Sequence, residues 1–166
     1  SAANMQHACD VAAGLGACPP VSNQPEYSYA ARRVETNGVQ QACLRRGLGM
    51  VVWSPLKQGL LTGKYSGGKM PAGSRAADPN MNAFLPELNR GIVDRVDRLR
   101  PVAERHGLTL AQLAIAWLAG RPAVASIIIG ASRPEQIDEN VGALHSALEP
   151  VDLAAIDELF PAAENP

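Results

Sequence analysis

The stretch Gly49-Met50-Val51-Val52-Trp53-Ser54-Pro55-Leu56-Lys57-Gln58-Gly59-Leu60-Leu61-Thr62-Gly63-Lys64-Tyr65 decides the architecture. Its first five residues are apolar without alternation. A strand of that kind is covered on both faces, as in a parallel sheet beneath helices. Pro55 then ends the strand, and a loop bracketed by Gly59 and Gly63 begins at its C-terminal end. Parallel α/β folds place their ligands at that end.

Outward from this core, Ala125-Ser126-Ile127-Ile128-Ile129 reads as another strand apolar on both faces, and Val21-Ser22-Asn23-Gln24 as a short one after Pro19-Pro20. Helical spacing of apolar residues predicts helices over 3–13, 34–46, 91–106 and 109–120. Gly14 and Gly16 stop the first, and Gly47 takes the C-cap position of the second. Thr109 with Gln112 forms a capping box, and Ser132 with Glu135 another that opens a helix to about 146. Asp152 is placed to cap a last helix carrying Leu153, Ile156 and Leu159. Between Pro55 and Gly91 the chain is rich in Gly, Pro and Asn, with a long loop over 66–90. The alternation gives an α/β fold with three parallel strands, read as a single domain over 1–166. A doubly wound sheet and a piece of a (β/α)-barrel both satisfy this pattern.

The chain has 166 residues, 46% apolar and 19% charged, with a formal net charge of -1. These values exclude wholesale disorder. They give no electrostatic reason to expect nucleic acid or a membrane surface as partner. No apolar run approaches the ~20 residues of a spanning helix. The opening residues have neither signal-peptide nor transit-peptide character. Cys9, Cys18 and Cys43 show no CxxC spacing, so a reducing cytoplasm is expected, with no disulfide framework and no metal site.

Two segments carry ligand chemistry. Gly130-Ala131-Ser132-Arg133-Pro134-Glu135-Gln136 follows a strand and opens a helix, whose free N–H groups favour an anion. A hydroxyl and a guanidinium fork there suit a phosphate monoester, although the same residues would serve as a plain N-cap with a solvated arginine. In the first-quoted stretch, Trp53 offers a flat face for an aromatic ring and Lys64 a positive charge. Two anion-suited loops after the last two strands match the phosphate site of (β/α)8 barrels.

With these residues in place, Trp53-Ser54-Pro55-Leu56 and Gly59-Leu60-Leu61-Thr62-Gly63-Lys64-Tyr65 resemble the seventh-strand motif of the aldo-keto reductases. The likeness is to the branch containing potassium-channel β subunits and bacterial stress reductases. Ile129-Gly130-Ala131-Ser132 with Glu135-Gln136 and Glu139-Asn140-Val141 resembles its eighth-strand NADPH motif, and Asn23-Gln24-Pro25-Glu26-Tyr27 its sixth-strand motif. The resemblance implies the C-terminal half of a (β/α)8 TIM barrel, strands 6–8 with their helices, binding NADPH. It implies that Gln24 bonds the nicotinamide carboxamide and Trp53 stacks on the ring. Ser54, Leu56 and Gly59 would line the pyrophosphate and ribose track, with Lys64 and Arg75 facing the cofactor. Gly130, Ser132, Arg133 and Gln136 would hold the 2′-phosphate, and Glu139 and Asn140 the adenine. Arg133 is larger than its usual counterpart and favours NADPH over NADH. Lys57 and Gln58 receive no role.

The family's Asp/Tyr/Lys/His tetrad belongs to its first four strand–loop units, which this sequence does not resemble. Isolated, the chain is expected to lack carbonyl reduction, with no catalytic residue of its own, and to need the other half-barrel or a second copy. Its substrate class would be small carbonyl compounds; the rival reading is a non-catalytic NADPH-binding or redox-sensing module. Val51, Trp53, Ile127 and Ile129 would line the barrel interior. Tyr27 beside Glu26 is weighed as a proton donor and set aside as a support of the strand end. His7, His106 and His145 are expected at the surface, and Cys43 in the core.

Overall fold

The computed structural model of the chain describes residues 1–80 and 90–162. Three parallel strands, β1 (Ser22–Asn23), β2 (Gly49–Val52) and β3 (Val124–Ile127), form one sheet in the order β1-β2-β3. Ser22 pairs with Gly49, Met50 with Val124 and Val52 with Ile127, with an irregularity between Met50 and Val51. Parallel neighbours require crossovers. Here α2 (Arg33–Thr36) and α3 (Val39–Arg46) join β1 to β2. The path from β2 to β3 runs through α4 (Arg90–Asp97), α5 (Arg100–Arg105) and α6 (Leu110–Ala119). An opening helix α1 (Ala2–Gly14) and closing helices α7 (Pro134–Gly142) and α8 (Pro150–Leu159) complete the chain. The fold is α/β with a parallel sheet and helices, as the alternation predicted.

Helix α6 sits in the core, which is why it is apolar nearly all round. Thr109 and Gln112 make the expected capping box at its start. Trp117 of α6 is buried and meets Tyr27 and Tyr29 edge-on, at ring centroids 5.4 and 6.0 Å apart. Arg32 is buried too, and fastens α2 to α8. It donates to both oxygens of Glu35 at 2.9 Å, to Asp157 at 2.6 Å and to the Phe160 carbonyl at 2.8 Å. Burial pulls its guanidinium down, but these carboxylates outweigh burial and hold its pKa above the usual value. Met50 and Val52 are fully buried, whereas Val51 is half-buried and Trp53 exposed. One face of β2 therefore lies on the core and the other is more open.

Several local expectations need correction. The expected helix over 34–46 is two helices, because Gly38 between them takes a left-handed φ of 81° that breaks the hydrogen-bond ladder. The segment 91–106 is likewise split, with Pro101 at the start of α5. β3 begins at Val124 and ends at Ile127, and its residues are half-buried or exposed rather than covered on both faces. Among the described residues, only β2 flanks it in the sheet. Ser132 does not cap α7. Arg133 takes the N-cap position without a side-chain bond, and Ser132 instead bonds forward to Gln136. Glu149, not Asp152, caps α8, with Asp152 as the reciprocal third-position partner. His106 is not a surface residue: Nε2 lies 2.7 Å from the fully buried carboxylate of Asp152, which Arg105 also holds. Part of the 66–90 loop is organised as short 3₁₀ turns at Ser66–Gly68 and Arg75–Ala77, while residues 81–89 lie outside the described residues.

Candidate functional site

The loop after β2 owes its shape to a run of left-handed residues. Ser54, Lys57, Gln58 and Gly59 have φ of 59, 45, 57 and 96°. Non-glycine residues rarely hold such angles, and they concentrate where function demands them. The coil is pinned from three sides. Thr62 Oγ1 donates to the Gly59 carbonyl at 2.8 Å, and Lys57 pairs with Glu26 at 3.2 Å. Ser66 Oγ bonds Asp97 of α4 at 2.6 Å. Lys64 folds back so that its ammonium covers the Gly59 backbone and sits 5.0 Å from the Tyr65 ring centroid.

This loop and the turn after β3 enclose one cavity of ≈ 430 Å³. Ser54, Leu56, Gly59, Lys64 and Arg75 line it from the β2 side; Gly130, Ser132 and Gln136 line it from the β3 side. At Gly130 the place of a Cβ is open, with nothing within 4 Å. At the head of α7, Ser132 and Gln136 line the cavity; Pro134 has no N–H, and the Ser132 and Gln136 N–H groups are taken by Gln136 Oε1 and the Arg133 carbonyl. Ser132 Oγ donates to Gln136 Oε1 at 3.2 Å, which closes that side of the turn. The cavity thus combines two cations with hydroxyl and amide groups. Phosphate groups with an attached sugar match that combination.

The remaining expected site residues are not in the lining of this cavity. Trp53 is 44% exposed at the end of β2. Its N–H donates to the Pro25 carbonyl at 3.1 Å and its carbonyl accepts from Tyr27 N at 3.2 Å, so exposed Gln24 and Trp53 occupy neighbouring strand ends. Arg133 is exposed at the head of α7. Glu139 is drawn to α6: Oε1 accepts from Thr109 Oγ1 at 3.1 Å, and its carbonyl accepts from Gln112 Nε2 at 2.8 Å. Asn140 is buried and lines a different cavity of ≈ 370 Å³, with Ile127, Ile129 and Leu144.

Tyr27 is withdrawn from any such role by its surroundings. It is fully buried, its hydroxyl donates to Glu35 at 2.6 Å rather than to neighbouring Glu26, and burial with that carboxylate pushes its pKa far up. A tyrosine so placed neither reaches a ligand nor releases a proton readily. Among the described residues no group of three or more His, Cys, Asp or Glu side chains is placed to hold a metal ion. Among them, too, no helix is long and apolar enough to cross a membrane.

Residues 1–160 match the model of the aldo/keto reductase family, and the chain belongs to that family. It is similar to a probable voltage-gated potassium channel subunit beta of Arabidopsis thaliana, 41% identical over 96% of this chain and 50% of that protein. A putative channel subunit beta of Schizosaccharomyces pombe is 38% identical over 96% of this chain and 48% of its own length. The L-glyceraldehyde 3-phosphate reductase of Escherichia coli K12 is 35% identical over 84% of this chain and 41% of its own. The chain spans about half the length of the curated relatives it matches.

Proposed function

We propose that this chain is the NADPH-binding part of an aldo-keto reductase, with β1, β2 and β3 as the sixth, seventh and eighth strands of a (β/α)8 barrel. The observation that carries the reading is the cavity shared by the loops after β2 and β3, with Lys64 and Arg75 on one side and Ser132 and Gln136 on the other. Cations opposed by hydroxyl and amide groups suit a phosphorylated dinucleotide, and the open space at Gly130 leaves room for it.

In this reading Ser54, Leu56 and Gly59 track the pyrophosphate and ribose while Lys64 and Arg75 neutralise charge. Gly130, Ser132 and Gln136 hold the 2′-phosphate, Arg133 swinging in from the surface to join them. Glu139 and Asn140 are assigned the adenine, which requires the Glu139 carboxylate to leave Thr109 and the ligand to reach beyond the shared cavity to the one Asn140 lines. Gln24 bonds the carboxamide, and Trp53 covers one face of the nicotinamide and leaves the other to the substrate. NADPH, when bound, supplies a hydride to the carbonyl carbon of an aldehyde or ketone. The proton for the oxygen comes from residues outside this chain, so the isolated chain is inactive and reduction requires a complementary half-barrel or a second copy. A reducing cytoplasm is the proposed compartment.

A second reading is a non-catalytic NADPH-binding regulator, favoured by the similarity to proteins named as channel β subunits. Titration of the chain with NADPH and NADH, followed by fluorescence, tests the shared premise. Saturable quenching, tighter for NADPH and lost in Trp53→Phe, is expected; Trp117 is buried and remains as an internal reference. No saturable binding by the wild-type chain would overturn both readings.

A further inference from the structure

A second cavity, of ≈ 580 Å³, shares no lining residue with the one described above, and no residue assigned to the cofactor lines it. Its walls come from the end of β1, from α2 and from the turn into α3.

Polar groups in these walls are unevenly satisfied. Lys57 and Glu26 hold each other at 3.2 Å. Arg32 is buried and engaged with Glu35, Asp157 and the Phe160 carbonyl. Arg33, the next residue, is exposed in the cavity wall, and among the described residues its guanidinium makes no hydrogen bond or ion pair. Four residues on, Asn37 Oδ1 accepts from the Val39 N–H at 3.0 Å. That bond orients the amide and leaves its NH2 group as a donor. Side chains four apart on a helix are neighbours, and both of these line the same space.

The Lys57–Glu26 pair neutralises itself, so Arg33 leaves the wall with excess positive charge. A guanidinium fork matches a carboxylate. A doubly charged phosphate would call for a further cation, and Lys57 is already held by Glu26. Pro25, Val34 and Val39 add apolar wall, against which a hydrocarbon chain leaves water.

We propose that this cavity is a second ligand site, which takes a small carboxylate with a short hydrocarbon tail. Arg33 holds the carboxylate through its fork, Asn37 donates to it, and the apolar wall covers the tail. The site stands independently of the NADPH reading.

Calorimetric titration of the chain with hexanoate tests it, with hexanol and acetate as comparators. Hexanoate should bind saturably. Hexanol, which lacks the charge, and acetate, which lacks the tail, should bind roughly ten-fold more weakly or worse. Arg33→Gln should weaken hexanoate binding roughly ten-fold and leave the melting temperature unchanged, since that side chain holds no partner in the free chain. Arg45→Gln removes a positive charge from an exposed position of α3 outside the cavity, and should bind hexanoate as wild type does. The proposal is overturned if wild type shows no saturable hexanoate binding, or if either comparator binds as tightly. It is equally overturned if Arg33→Gln binds hexanoate as tightly as wild type, if Arg45→Gln is weakened as much as Arg33→Gln, or if Arg33→Gln melts well below wild type, which would make the guanidinium a structural group.

Discussion

A Cβ on Gly59 would lie 2.6 Å from Lys64 Nζ and 2.7 Å from its Cε. The lysine therefore lies directly on the glycine backbone, and the position of its charge depends on the absence of a side chain there. Gly59 also holds φ 96°, which other residues reach only with strain. Gly59→Ala should cost about 1–3 kcal/mol of stability and displace the ammonium from the cavity. NADPH affinity should fall about ten-fold or more, the scale of a lost charge-assisted contact. Thermal melting and ligand titration check the two effects separately.

Gly130 offers the complementary case. Nothing stands within 4 Å of its missing Cβ, yet it lines the cavity. Gly130→Val should change stability by about 0.5 kcal/mol or less, as at other open sites, while blocking the ligand. Folding measured by denaturant titration should be near wild type and NADPH quenching lost. Retained tight binding would show that the ligand lies elsewhere.

Asp152 predicts the acid limit of the fold. Burial pushes its carboxyl up, but the Glu149 N–H, His106 and Arg105 outweigh burial and hold it below the usual carboxylate range. Its folded pKa is thus lower than its unfolded value of about 3.9. The stabilisation is complete above that value and is lost as pH falls through the depressed folded value. Wild-type melting temperature should therefore drop steeply below about pH 4. Asp152→Asn should be less stable at neutral pH, by about 3 kcal/mol if the buried cluster is broken. Its pH dependence in the acid range should be shallower.

The thiols should separate by burial. Cys18 is exposed, whereas Cys9 and Cys43 are buried and burial raises the Cys43 pKa. Only the thiolate reacts. A disulfide reagent at pH 8 should modify Cys18 rapidly in the native chain, and Cys9 and Cys43 only after unfolding. Cys18→Ser should abolish the fast phase.

Much of this protein follows from local sequence. The apolar run at Met50–Val52, the Thr109/Gln112 cap and the wholly apolar face of α6 fix a parallel α/β arrangement, because each states a burial or hydrogen-bonding requirement within a few residues. Of the residues lining the cavity, Gly59, Lys64, Gly130 and Ser132 were legible as glycines, a cation and a helix start at strand ends, whereas Ser54, Leu56, Arg75 and Gln136 came from the family resemblance. What short-range pattern leaves open are pairings between distant parts of the chain. Arg32 meets Asp157 across the fold, His106 turns inward because Asp152 of α8 lies opposite it, and Glu139 is claimed by the head of α6. Gln58 is the sharpest instance. Its residue type announces nothing, and only the left-handed coil of the loop buries its oxygen without a donor in the lining of the cavity. Sequence determined which elements form and where polar groups gather. Tertiary structure decided which of those groups find partners, since that depends on distances no local spacing encodes.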